Sequence, residues 1–160
     1  MTSKMRRDSR LYNILFPIWL FYLIPTGIWL IIFPANFIID SLVIYIAMKH
    51  YAANGFADVW RKSILRIWGI GFICDLAGAL LILAIEFLRG YMLPAINTFY
   101  FPGATIIAIP GVLLSGILIY ELDMHYAFKK CDIEMGLAQK LSLALSIFTA
   151  PYAMLIPLYG

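Results

Sequence analysis

Five apolar runs, near residues 12–33, 36–53, 65–88, 104–122 and 141–158, dominate this chain. Each approaches the roughly 20 residues a helix needs to cross a hydrocarbon core about 30 Å thick. A backbone in lipid must satisfy its own hydrogen bonds, which leaves helices as the simplest element these runs can form. The expected fold is therefore all-α: a polytopic helical membrane protein with about five transmembrane helices. The connectors are too short for a second core, so residues 1–160 read as one integral membrane domain. Composition agrees, since 63% of residues are hydrophobic and only 13% charged, against about 25% charged in soluble domains.

The second run is the shortest. Its purely apolar part ends at Met48, so a full crossing needs Lys49 to snorkel and His50 and Tyr51 to sit in the interface. The alternative is a re-entrant hairpin in which residues 12–48 dip in and out around Pro34, Ala35 and Asn36, leaving three full spans.

Cations orient the bundle, because Lys and Arg collect at the cytoplasmic ends of spans. Five crossings with the N-terminus inside place Lys4, Arg6, Arg7, Arg10, Lys49, Arg61, Lys62, Arg66, Lys129, Lys130 and Lys140 on the cytoplasmic side and leave only Arg89 outside. The expected location is the cell membrane, with the N-terminus cytoplasmic and the C-terminus outside. The apolar stretch from Leu11 outruns a signal-peptide core of about 7 to 15 residues and lacks a small-residue cleavage site, so it reads as a retained span.

Between the second and third runs, Asn54 and Gly55 predict a turn with Asn54 as N-cap. Phe56, Val59, Trp60, Ile64 and Ile67 then fall at helical spacing, with Asp58, Arg61, Lys62 and Arg66 opposite. The pattern predicts an interfacial amphipathic helix before the third span, with Arg61, Lys62 and Arg66 as contacts to anionic lipid. The fourth span is expected to run on as one helix through Lys130, since no Gly or Pro interrupts it between Gly116 and Gly136. Tyr91, Phe99, Tyr100 and Phe101, with Pro94 and Pro102, suit an aromatic loop anchored at headgroup depth.

Acids within spans cost roughly 2.5 to 3.5 kcal/mol at a helix centre, so each invites a functional reading. Three stand out: Asp40, Asp75 and Glu86. Asp40 is expected about one turn from the outer end of the second span, close to water or the loop. Asp75 follows Arg66 by nine residues, about 13 Å at 1.5 Å per residue, which places it near the midplane. Gly71, Asp75, Gly78, Ile82 and Glu86 share one helix face, and small residues mark the face where another helix approaches. That stripe is either an acidic path for a proton or cation, or a packing face with Asp75 hydrogen-bonded to a neighbouring span and Glu86 paired with Arg89.

Other chemistry finds little support. Glu121 and His125 are spaced to offer two metal ligands, but a site needs three or more and His50 is the only other histidine. Cys74 and Cys131 lie far apart with no CxxC context, so neither a disulfide framework nor a zinc ribbon is expected. The net charge of +3 is too small and too scattered for a nucleic-acid face. No serine-hydrolase, zinc-protease or P-loop motif is present, so an enzyme and a cofactor are not expected. Pro17, Pro25, Pro110 and Pro151 fall within spans and predict kinks.

Two functions of different class follow. The first expectation is a membrane-embedded interaction or accessory subunit, with the bilayer and a second copy or partner subunit as its contacts. The alternative is a small transport or channel subunit that uses Asp40, Asp75 and Glu86 as an ion or solute path.

Overall fold

The computed structural model describes residues 27, 29–51, 53–92 and 101–156. Most of the first expected span, the outer connector through Tyr100 and the last residues of the fifth span lie outside them. Within the described residues every regular element is helical. Helix α1 is Trp29–His50, α2 is Phe56–Met92, α3 is Gly103–Leu122 and α4 is Met135–Phe148. Three helices are long and apolar enough to cross a membrane: Trp29–His50, Phe56–Gly90 and Gly103–Lys130.

Four expectations need correction. Residues 34–36 form no turn, because α1 runs through them with Pro34 inside it. A proline removes one backbone bond but need not end a helix when neighbours satisfy what it frees. Pro34 deprives the Leu30 carbonyl of its usual donor, and α2 braces the same turn: the Trp68 indole N–H donates to the neighbouring Phe33 carbonyl at 2.9 Å, inside a nest of Trp29, Phe33, Trp68 and Phe72 rings. The hairpin reading loses its turn, and Asp40 moves from a helix end to the middle of α1.

The amphipathic segment before the third span is also no separate element. No breaker interrupts the chain after Gly55, whose positive φ of 79° makes the turn, and α2 continues for 37 residues. At 1.5 Å per residue that is about 55 Å, well beyond the apolar core of a bilayer. Its first third faces protein as well as surroundings: Val59, Ile64 and Ile67 are buried, and the Trp60 indole donates to Ser41 Oγ at 2.9 Å. Arg61 and Lys62 stay exposed and Arg66 half-buried, with Lys62 paired to Asp58 at 2.7 Å.

The fourth span continues to Lys130, though not as one α-helix. At Asp123 the coil widens into a π turn, Asp123–Ala127, and then tightens into a 3₁₀ turn, Phe128–Lys130. The fifth run forms a helix of 14 residues that begins earlier than expected and stops at Phe148, followed by a 3₁₀ turn at Tyr152–Leu155. Pro151 prevents continuation, and about 21 Å of α-helix does not cross a bilayer.

Helices α2 and α3 pack backbone to backbone. A Cβ placed on Gly78 would lie 2.5 Å from the Gly111 carbonyl oxygen, and one on Gly111 would lie 2.7 Å from the Gly78 carbonyl oxygen. Ser115 bridges the same seam, its hydroxyl donating to the Cys74 carbonyl at 2.9 Å. Small residues here allow the close approach that membrane helices use where lipid gives no hydrophobic drive. Gly71, on the same predicted stripe, meets nothing within 4 Å.

Cys131 follows the last turn of α3 and is half-buried against the start of α2, its thiol 3.8 Å from the Val59 carbonyl. Burial pushes this thiol upward, opposed by Lys62, a hydrogen bond with Ser63 and Arg66. A thiolate is the reactive form, so labelling of Cys131 by a maleimide should keep accelerating above the pH at which a free cysteine levels off. In intact cells an impermeant maleimide should leave Cys131 unlabelled until permeabilisation; labelling from outside would reverse the orientation.

Candidate functional site: a buried acidic cavity

The inner face of α3 and its extension reads Ala108, Val112, Ser115, Ile119, Asp123 and Ala127, one continuous buried stripe. Asp123 is thus carried inward by the helical repeat, although it lies past the apolar run. On α1 the same logic buries Asp40, Ile44, Ala47 and Met48, and on α2 it buries Asp75 beside Cys74. Three helices each contribute one aspartate to the interior, at 5%, 3% and 0% exposure for Asp40, Asp75 and Asp123.

Asp40 is within electrostatic reach of both others, and Cys74 is within reach of Asp75 and Asp123. A cavity of about 190 Å³ meets two of the three acids. Its walls are Asn36, Ile39 and Asp40 from α1, Asp75 from α2, and residues 148–153 where α4 ends. The end of α4 matters electrically, because the C-terminus of a helix carries partial negative charge. Carboxyl groups and a helix C-terminus around one small cavity make a site that favours positive charge.

Hydrogen bonding within the protein leaves this site incomplete. Asp75 Oδ1, both carboxyl oxygens of Asp123 and Ser142 Oγ are buried without a hydrogen-bond partner. Buried polar groups are nearly always partnered, and an orphaned one costs about 1 to 3 kcal/mol or more when charged. Three carboxyl oxygens of this interior are therefore without a partner from the protein itself. Among the described residues no three His, Cys, Asp or Glu side chains are arranged to hold a metal ion.

Glu86, the third acid of the expected path, stands apart from this cavity. It pairs with Arg89 one turn on, Nη2 to Oε2 at 2.9 Å, both partly buried. Glu121 and His125 are exposed, with His125 Nδ1 2.8 Å from the Glu121 carbonyl oxygen and 3.6 Å from its carboxylate. Asp123 replaces Glu86 as the third interior acid. Its signal in the sequence was the four- and three-residue spacing from Ala108 through Ser115 and Ile119, a stripe that continues past the end of hydrophobicity.

No family model, curated protein or solved structure matches this chain.

Proposed function

We propose that this is a small proton-handling membrane protein, a transport or channel subunit in which Asp40, Asp75 and Asp123 form a relay through the bundle interior. One observation carries the reading: the unpartnered Asp75 oxygen beside a cavity that also meets Asp40, with the unpartnered carboxyl of Asp123 buried within electrostatic reach of Asp40. A packing role for Asp75 calls for a hydrogen bond to a neighbouring span, whereas a relay calls for an oxygen kept open to receive a proton. A proton suits the site better than a metal, since it needs one oxygen at a time.

The reading is non-enzymatic and takes the cell membrane as its setting. It keeps the charge-based orientation, with an inside N-terminus, the Lys49–Arg66 and Lys129–Lys140 regions cytoplasmic and the C-terminus outside. A five-crossing count then requires residues 12–27 to cross ahead of α1, and the α4 segment to complete its crossing beyond Phe148. In this reading Arg61, Lys62 and Arg66 meet anionic headgroups at the start of α2, where basic side chains are favoured at a charged leaflet. So small a bundle suits a homo-oligomer or a partner subunit, because transporters are mostly built from larger or repeated bundles. The accessory role survives in that form.

Hydration of the cavity tests the proposal. Single cysteines at Asn36, Thr149 and Ala153, in a background lacking Cys74 and Cys131, should react with a small water-soluble thiol reagent far faster than cysteines at lipid-facing Leu113 and Ile117. Equal protection at all five positions would sink the relay.

A further inference from the structure

Helices α3 and α4 lie close at Gly116, where an added Cβ would meet the Ser146 carbonyl oxygen at an ordinary 3.6 Å. On the outer side of this crossing they diverge and leave a groove of about 610 Å³. Its length is apolar: Val112, Leu113, Ile117, Leu143 and Ile147 form most of the wall. One end is different. Tyr120, Gln139 and Lys140 gather there and supply a hydroxyl, an amide and an ammonium, and no carboxylate stands in the lining.

Lys140 is held at that end by the Tyr51 ring, its Nζ 5.1 Å from the ring centre. Tyr51 follows α1, so the polar mouth opens at the end of the bundle that also carries Lys49, Lys129 and Lys130. A long apolar wall with a cationic mouth matches one class of molecule, an acyl chain joined to an anionic head. A second copy of this chain would have to bring a negative group to the same mouth at headgroup depth. We propose that the groove between α3 and α4 is a binding site for an anionic phospholipid, its acyl chain along Leu113, Ile117, Leu143 and Ile147 and its phosphate at Lys140, Gln139 and Tyr120.

Ala150 and Tyr152 line both this groove and the acidic cavity, so a seated chain would abut the site described above. The lipid site stands independently of the relay, since it concerns retention and not flux. Delipidated full-length protein titrated with dioleoyl phosphatidylglycerol and, separately, dioleoyl phosphatidylcholine, and read by native mass spectrometry, tests it. The anionic phosphatidylglycerol should bind roughly five-fold or more tightly than the zwitterionic phosphatidylcholine. Lys140→Gln should erase that preference and Lys140→Arg should keep it. Gly116→Leu, which places a side chain in the groove, should weaken both lipids, with unfolding midpoints reported for every variant. Equal binding of the two lipids, a preference that survives Lys140→Gln, or a groove-dependent dimer in place of bound lipid would each overturn the proposal.

Discussion

Asp75→Leu is expected to unfold later than the wild type in detergent, by about 1 to 3 kcal/mol, which is the cost of a buried polar group left without a partner. This runs against the usual effect of replacing an interior hydrogen-bonding residue. Asp75 is 3% exposed and its Oδ1 meets no partner, so leucine removes an orphaned oxygen and keeps a side chain of similar size in the α2 interior. Asp75→Asn should remain close to wild type, because the amide leaves a polar group in the same place. Denaturant or thermal unfolding of the three proteins reads the result. A loss of about 1 to 2 kcal/mol on Leu substitution, the range for interhelical hydrogen bonds in membranes, would mean that Asp75 is a packing residue with a partner. A site that loses stability for the sake of a function is common in proteins that sit near their stability threshold.

Gly78→Ala should produce the largest loss of any methyl group added to a described glycine. The added carbon would meet the Gly111 carbonyl oxygen at 2.5 Å as well as the Ser115 hydroxyl, and a backbone cannot rotate away as a side chain can. Helices α2 and α3 would have to separate, and overpacking of this kind costs about 1 to 3 kcal/mol. Gly71→Ala is the matched control. It lies two turns away on the same stripe and meets open space, so its stability should equal or exceed wild type. The same loss from both substitutions would show that close packing at the α2–α3 seam does not set the cost, since alanine is favoured over glycine in a helix interior.

The comparison of these two glycines shows what the sequence could and could not convey. Their shared face was legible from spacing alone, and Asp75, Gly78 and Ile82 do lie inside. Which glycine touches another backbone depends on where α3 crosses, and nothing in the α2 sequence records that crossing. Helical content and helices long and apolar enough to cross a membrane were readable because hydrophobicity over 20 residues leaves few alternatives. Boundaries were less so. Pro34 looked like a turn because proline removes a bond, yet α1 runs through it, braced by the Trp68 indole on the adjacent Phe33 carbonyl. Asp123 lies past the apolar run, where hydropathy falls after Tyr120, yet the helical repeat from Ala108 carries it into the core. The fifth run looked long enough to span because apolar residues continue past Pro151, but its α-helix ends at Phe148.

Glu86 shows a different limit. Its position on the stripe is as expected, and a partner one turn away decides its role: Arg89 neutralises it, so it brings no open oxygen to the interior. Asp40, Asp75 and Asp123 have no cation one turn away in the sequence, and the contrast separates a paired acid from a buried acid with no such neighbour.

The relay is tested most directly by proton flux. Wild-type protein and Asp75→Asn, reconstituted at equal density into liposomes that hold a pH-sensitive dye, would be driven by a potassium potential set with valinomycin. The account predicts wild-type proton entry well above protein-free liposomes and entry at the protein-free level for a folded Asp75→Asn, since an amide cannot accept and release the proton. Wild-type entry no faster than protein-free liposomes, or entry unchanged in Asp75→Asn, would contradict it.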